Sequence, residues 1–518
     1  MNGLVTNSIL WPGALWGNLS DLESAWLIFT VILWAVASVF AYATLANNGR
    51  LLRFWVFWVL SMTGNIVLII AQDALGFYIG FSMMSLSAYG LIVHDQSPQA
   101  RRAGRLYLQL AIVGEMALFA ALLLMAYAND GSTSLTDWQT GVGITPVAAA
   151  LLLVGLGLKA GFWPLHVWLP LAHPAAPAAA SAVLSGAMIK AGILGLWKIM
   201  PLSGLSQQWA PVIMAIALFS AFYGVLMGLA RSEIKQVLAY SSVSQIGYLL
   251  FLVALSWQLP AQRDVIAVAL AVYAFHHALI KGALFMAAPL LKQYQPDPRL
   301  RYAMWAMLIV AALSIAGLPL TSGAAAKVGL KSLLGSPELA GWRYLVLAGA
   351  VSTSLIVGRV LWLAHRLVRK TQQEHTAAVS QNPLALGVWL ALGSSAIIVP
   401  WLWQPMRAAL LYSVVPYNLW MSAWPVACGM AVTCWAIRRH WRVPGALQHL
   451  PPVALLISLS IKHRSNQVAR PLKMPEFDTT RLRSLERRWN RITRFNPVNL
   501  SATLLLVIVL MAGILINY

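Results

Sequence analysis

Residues 157–173 read GLKAGFWPLHVWLPLAH. An apolar run that starts near Thr145 reaches a lysine, Lys159, and is then interrupted by Gly161 and Pro164, with His166 and His173 following. An ammonium group in hydrocarbon costs at least ~2.5–3.5 kcal/mol on insertion scales, so a lysine there marks a site or a pathway. Non-helical backbone at membrane depth is tolerated only where it is buried in protein or lines a hydrated cavity. The stretch therefore predicts an all-α polytopic membrane protein with a discontinuous helix in its middle.

The rest of the chain agrees. Of its 518 residues, 59% are hydrophobic and only 10% charged, against about 25% charged in soluble domains. Apolar runs long enough to cross about 30 Å of hydrocarbon recur throughout, without the period-2 alternation of a barrel. Fourteen spans are read near 26–46, 54–72, 75–95, 106–127, 145–173, 176–200, 208–230, 237–257, 265–290, 302–320, 341–364, 385–405, 414–436 and 498–516. The Gly-rich segment 321–337 reads as a broken or re-entrant piece. Cys428 and Cys434 fall in one span, fit no metal site or disulfide framework, and read as buried small hydrophobes.

The net charge of +21 would suggest nucleic acid in a soluble protein. Here the basic residues border the spans, so no nucleic-acid partner is expected and the positive-inside rule explains them. Arg50/Arg53, Arg101/Arg102/Arg105, Arg231/Lys235, Lys292/Arg299/Arg301, Arg366/Arg369/Lys370 and Arg438/Arg439/Arg442 would share the cytoplasmic side of an inner membrane. The loop 128–144 on the other side carries Asp130 and Asp137 and no Lys or Arg. This places the N-terminus outside and requires that 321–337 add no full crossing. The first basic residue is Arg50, so no signal peptide is expected.

Five regions follow: 1–49 with the first span, a core at 50–365, C-terminal spans at 366–436, a basic segment at 437–497, and a last helix at 498–518. The stretch 371–384 is a polar connection. Within the basic segment, TRLRSLERRWNRITRF (480–495) sets Leu482, Leu485, Trp489 and Ile492 on one stripe among arginines. That pattern suits a helix lying on membrane lipid, with partner binding as the rival.

Polar groups inside the spans are the next signal. Glu115, Lys159, Lys190, His276, His277, Lys281 and Lys327 all fall in apolar surroundings. Burial disfavours the charged ammonium and a nearby carboxylate restores it, so a buried lysine can take up and release a proton; histidine can connect such sites. Each also has a plainer reading. Lys159 and Lys190 could snorkel, Glu115 could simply partner a lysine, and His277 with Lys281, at i and i+4, could form a structural hydrogen bond. His276 faces elsewhere on its helix and reads as structural.

The same residues carry a resemblance. GLKAGFWPLHVWLPLAHPAAPAAASAVLSGAMIK (157–190), RSEIKQVLAYSSVSQIGY (231–248), HHALIKGALFMAAPLL (276–291) and AGLPLTSGAAAK (316–327) closely resemble motifs of the antiporter-like membrane subunits of respiratory complex I, Mrp-type sodium/proton antiporters and group 4 hydrogenases. The AHPAAP wording leans toward the hydrogenase-4 and formate hydrogenlyase branch. The resemblance implies an inverted-repeat bundle with broken helices. It implies that Lys159 stores a proton, that Lys190 follows on the next helix, that His277 and Lys281 relay through a second broken-helix half, and that Lys327 exchanges with the far side. His173 matches a polar position on a helix connection. His166, Lys235, Tyr273, His276 and Ser82 complete the candidate path.

The departures are informative. Phe81 and Ser82 stand where the family has a glutamate, so the carboxylate expected beside Lys159 is absent, and Glu115 on the next span is the candidate replacement. The Ser82 span is third here and fifth in the family, as if about two N-terminal helices were missing. Tyr273 stands where a relay histidine is common, and Gln245 where some members have histidine. The tail from 437 is too short for the long lateral helix of the distal complex I subunit. There is no cysteine cluster for iron–sulfur ligation and no nucleotide fingerprint, so no cofactor is expected in this chain and redox chemistry would lie in partner membrane subunits. The implied function is proton translocation within a complex I-like or hydrogenase-like assembly. A cation/proton antiporter or inorganic-carbon uptake module, and a structural subunit with a disabled channel, are the alternatives.

Overall fold

The computed structural model describes residues 5–6, 14–45, 50–140, 144–293, 297–373 and 382–439. The amphipathic stripe at 480–495, nearly all of the basic segment, and the span at 498–516 lie outside the described residues. A minimal antiparallel pair, β1 (Val5–Thr6) with β2 (Leu15–Trp16), precedes the helices.

The helices follow the apolar runs. They are α1 (Asp21–Leu45), α2 (Leu51–Ile70), α3 (Ala74–Ile92), α4 (Pro98–Ala128), the short α5 (Leu135–Thr140) and α6 (Pro146–Ala160). Next come α7 (Leu169–Ala175), then α8 (Ala178–Val183) and α9 (Lys190–Ile199), joined by a π-helical turn, Leu184–Met188. The chain continues through α10 (Leu205–Leu229), α11 (Ile234–Gln258), α12 (Arg263–Leu290), α13 (Pro298–Ala316) and α14 (Ser322–Ser332). It ends in α15 (Ala340–Gln373), α16 (Pro383–Leu402), the short α17 (Gln404–Ser413) and α18 (Pro416–Arg438). Among the described residues, 12 helices are long and apolar enough to cross a membrane, counting 178–199 as one, and the shorter Pro146–Ala160 opens a broken crossing with α7.

Starts and stops have local causes. Asp73, Ser97 and Thr145 cap α3, α4 and α6 by accepting from Gly76 N, Ala100 N and Ala148 N at 2.8, 3.1 and 3.2 Å. Pro98 and Pro146 take the first helical position, where no donor is lost. The two breaks share one device. Gly161 ends α6 at φ 72° and Gly317 ends α13 at φ 98°, both left-handed conformations that glycine adopts without a Cβ penalty.

These breaks expose a repeat. The order α2, α3, α4, broken α6/α7 recurs as α10, α11, α12, broken α13/α14. Four crossings lie between α2 and α10 (α3, α4, α6/α7 and α8–α9), so α10 runs opposite to α2 and the second copy is inverted. The matching pairs pack alike. A Cβ on Gly64 of α2 would lie 2.6 Å from Gly80 O of α3, and one on Gly224 of α10 would lie 2.6 Å from Tyr240 O of α11. Close backbone approach over small residues is how helices associate where lipid supplies no hydrophobic drive.

The segment 321–337 is the broken piece expected: it contains α14, which completes the crossing begun by α13 and adds no full crossing, so the basic loops among the described residues all fall at one end of the bundle. Two expectations change. The helix carrying His277 and Lys281 is not a broken half: α12 runs unbroken over 28 residues, and the second break lies between α13 and α14. Cys428 and Cys434 are exposed on α18 rather than buried, because α18 turns most of its surface outward at the edge of the bundle.

Candidate functional site

Two groups of buried polar residues lie along the bundle. The first surrounds Lys159, in the last turn of α6 and 5% exposed. Its ammonium donates to Tyr107 Oη on α4 at 3.1 Å. Tyr107 donates in turn to the backbone oxygen of Ser85 on α3 at 2.7 Å. Trp168 closes the site: its ring sits 5.0 Å from that of Tyr107, and its indole N–H donates to Leu158 O at 2.7 Å. Between Phe81, Ser85, Gly114 and Lys159 is a cavity of about 10 Å3, room for a single water.

Glu115 stands two turns beyond Tyr107 on α4 and is buried. It interacts electrostatically with Lys159 and with the Ser82 and Ser85 side chains. The carboxyl makes no ion pair with Lys159 within 4 Å, because the Tyr107 hydroxyl takes the ammonium. Glu115 Oε1 and Ser82 Oγ are buried with no protein hydrogen-bond partner. Leaving such atoms unsatisfied costs about 1–3 kcal/mol each, so the space between α3, α4 and α6 suits bridging water.

The second group centres on Lys190, fully buried at the start of α9. Its ammonium donates to Gly186 O at 2.5 Å and to Ser185 O at 3.3 Å, both in the π-turn. A π-turn interrupts the i to i−4 ladder and leaves carbonyls to be satisfied; the lysine satisfies them. Ser185 Oγ meets Ser242 Oγ of α11 at 2.8 Å. Ser242 donates to Leu238 O at 3.0 Å, and Lys281 of α12 donates to the same oxygen at 2.9 Å. A serine pair thus joins the surroundings of the two buried lysines.

His277, also on α12, has neither ring nitrogen hydrogen-bonded to protein. The i, i+4 hydrogen bond to Lys281 does not form, since Lys281 turns to α11. His276, read from sequence as structural, faces the second break: its Nδ1 lies 2.8 Å from Ser322 Oγ, the first residue of α14. Lys327, in the second turn of the same half-helix, donates to Ala316 O at 2.8 Å and satisfies a carbonyl left open where α13 ends. Lys190, His276 and Lys327 interact through their charges.

The remaining candidates spread out. His173 on α7 is fully buried, stacks on Phe285 at 4.5 Å, and has no protein partner on either nitrogen. Lys235, near the basic end of α11, donates to Ala176 O at 2.7 Å and interacts with His173. His166 packs edge-on to Tyr223 at 4.9 Å, away from both lysine groups. Tyr273 donates to Gln245 Oε1 at 2.8 Å and links to neither group. Sequence reasoning missed Tyr107, Ser85, Ser185, Ser242 and Ser322, since nothing in the spacing distinguishes them from structural hydroxyls. It also missed an ion pair at the acidic end, Glu23 with Lys198 at 2.5 Å. Their places in the first and last turns of α1 and α9 read as ordinary helix ends.

An inverted repeat of broken helices, each break beside a buried lysine, defines the class of antiporter-like membrane bundles. The chain belongs to the NADH:quinone oxidoreductase/Mrp antiporter transmembrane family, whose model matches residues 71–356 and spans both lysine groups. It is 37% identical over 235 residues to hydrogenase-4 component B of Escherichia coli strain K12, covering 43% of this chain and 35% of that protein. It is 28% identical over 365 residues to a Staphylococcus epidermidis protein named as antiporter subunit mnhA2, covering 65% of this chain and 45% of the other. The chain thus spans under half the length of these curated relatives. The Mrp complex of Dietzia sp. DQ12-45-1b matches its fold with a TM-score of 0.65 at 19% identity, over 93% of this chain and 55% of that one.

Proposed function

We propose that this chain is a proton-translocating, antiporter-like subunit of a larger membrane assembly, of the complex I-like or group 4 hydrogenase-like kind, with redox chemistry in its partners. One observation carries the reading. Lys159, Lys190, Lys281 and Lys327 are buried on four different spans, and none makes an ion pair within 4 Å. Their ammonium groups rest on a tyrosine hydroxyl or on carbonyls, neutral partners that can still accept once the lysine has lost its proton. Unneeded buried lysines are costly, so a purely structural subunit would not keep four.

In this reading, protons enter from the basic, cytoplasmic end past Lys235 and His173. Glu115, in electrostatic reach of Lys159, replaces the family glutamate missing at Ser82 and modulates that lysine's charge. His277 and the Ser185–Ser242 pair connect Lys190 with Lys281, and His276 with Ser322 connects onward to Lys327. Similarity to an Mrp antiporter subunit favours a second reading, cation/proton exchange. The test is proton pumping by the intact assembly in sealed vesicles, comparing wild type with Glu115→Gln and Lys159→Met. Lost pumping with assembly intact supports the reading; unchanged pumping in both sinks it. Dependence of wild-type proton movement on added sodium would favour the second reading.

A further inference from the structure

At the acidic end of the bundle a cavity of about 730 Å3 opens between α1, α5, α9, α12 and the α16–α17 turn. At ~30 Å3 per molecule it has room for roughly two dozen waters. Its rim carries exposed Ser20, Asp21, Thr136 and Asp264. Its wall holds the buried Glu23–Lys198 pair, braced by Gln72 on Glu23 at 3.2 Å and by Ile69 O and Ala71 O on Lys198 at 3.0 and 2.6 Å. Arg263 lies 4.0 Å over the Trp197 ring and donates to Trp197 O at 3.0 Å. These contacts fix the wall, so the cavity is a built feature of the fold.

The cavity reaches inward along α1 to Ala25 and Ile28 and along α12 to Ala271. At ~1.5 Å of rise per residue, that is about 10–12 Å from the starts of these helices. One turn beyond Ala25 and Ala271 stand Phe29 and Phe275. Their ring centroids are 5.7 Å apart, and Phe275 stacks on Trp403, itself a lining residue, at 5.2 Å. On the far side of this layer the Lys190 ammonium sits 6.0 Å from the Phe29 centroid. A single aromatic layer therefore separates a large cavity with a polar rim and a mixed lining from the central lysine. Lys327, the exit that the resemblance implies, lines no part of it.

We propose that this cavity is the outlet of the proton path, gated by Phe29, Phe275 and Trp403. When the rings part, the Lys190 ammonium gives its proton to water in the cavity and becomes the neutral amine, still hydrogen-bonded to Gly186 O. When they close, the apolar layer excludes water, as hydrophobic constrictions do in channels. The inference rests on the proton-path reading above.

Thiol labelling tests the cavity without relying on pumping. With Cys428 and Cys434 replaced by serine, Ile28→Cys, which lines the cavity and is 47% exposed, should react with a membrane-impermeant methanethiosulfonate in the intact assembly, from the acidic-end side only. No reaction from that side overturns the proposal, because a lipid-facing thiol does not ionise. The gate is read from passive proton leak in sealed vesicles with the redox partners idle. Phe29→Ala should raise the leak about tenfold or more by removing the dewetting layer, and Lys190→Met in that background should return it to wild type. Absence of a leak in a normally assembled Phe29→Ala overturns the gate, and a leak indifferent to Lys190→Met overturns the role of Lys190. Phe29→Leu serves if the alanine variant does not assemble. Loss of pumping dependence on Glu115 and Lys159 would instead remove the upstream path while leaving labelling and leak as they are.

Discussion

Tyr107→Phe is the sharpest probe of the first lysine group. The Tyr107 hydroxyl accepts from Lys159 at 3.1 Å and donates to Ser85 O at 2.7 Å. Phenylalanine keeps the ring against Trp168 and removes only the oxygen. A hydrogen bond to a charged group contributes about 1.5–3 kcal/mol. With no ion pair to compensate, the protonated form of Lys159 loses that support, and its population falls roughly tenfold to a hundredfold, at 1.4 kcal/mol per factor of ten. If that proton is an obligatory intermediate, initial pumping rates in sealed vesicles fall by a comparable factor while assembly holds. Ser85→Ala is the control. It keeps the backbone oxygen that Tyr107 uses and perturbs only the hydroxyl near Glu115, so its effect should be smaller. Pumping by Tyr107→Phe within twofold of wild type would refute the idea that this contact holds a transported proton.

Three further outcomes are expected. Ser242→Ala removes the hydroxyl joining Ser185 to Leu238 O, and the loss of about 1 kcal/mol should slow pumping roughly fivefold, measured beside Ser256→Ala as a remote control. Gly224→Ala forces a Cβ to 2.6 Å from Tyr240 O and 2.7 Å from Ser244 N. Separating α10 from α11 should destabilise the bundle by about 1–3 kcal/mol, visible as a lower melting temperature in detergent. His94, in the turn after α3, is held near a pKa of about 4 by burial, with Arg53 and Arg50 adding to the effect and Asp95 opposing it. Its folded pKa lies below the unfolded value of about 6.5, so the unfolded chain binds the proton first. Stability is then lost as pH falls below 6.5, by about 2 kcal/mol between pH 7.5 and 5. His94→Gln should flatten that part of the melting-temperature profile.

The crossings were legible because hydrocarbon leaves few options: an apolar run of that length must be a helix, and the caps at Asp73, Ser97 and Thr145 mark where helices begin. The first break was legible for the same reason, through Gly161 and Pro164 next to Lys159. The second was assigned partly to the wrong element. The resemblance put His277 and Lys281 on a broken half, yet α12 continues unbroken through Gly282, since one glycine in a packed helix interior costs only about 1 kcal/mol. The actual interruption depends on Gly317 adopting a positive φ, a backbone property no side-chain pattern reveals. The hydroxyl partners were hidden because Tyr107 meets Lys159, Ser185 meets Ser242 and Ser322 meets His276 across elements 46 to 57 residues apart in sequence. Helical periodicity records which face a residue occupies and says nothing of the element opposite.

The choice of partners also bears on how a proton could move through the second group. Lys190 and Lys281 are both fully buried, interact through their charges, and have no carboxylate within ion-pair distance. Two ammonium groups in that setting repel across a medium that screens them poorly, so charging one disfavours charging the other. Each side chain is nevertheless held by a backbone oxygen that can still accept once the lysine has lost its proton. Geometry is thus retained while charge alternates, and the Ser185–Ser242 pair lies between the two as a neutral link that adds no trap for the proton. The fixed Glu23–Lys198 pair at the acidic end is the contrast within the same bundle. There a carboxylate neutralises its lysine and the pair forms a wall. The lysines along the path have no such partner, and that difference separates a cation that can be discharged from one that holds the fold together.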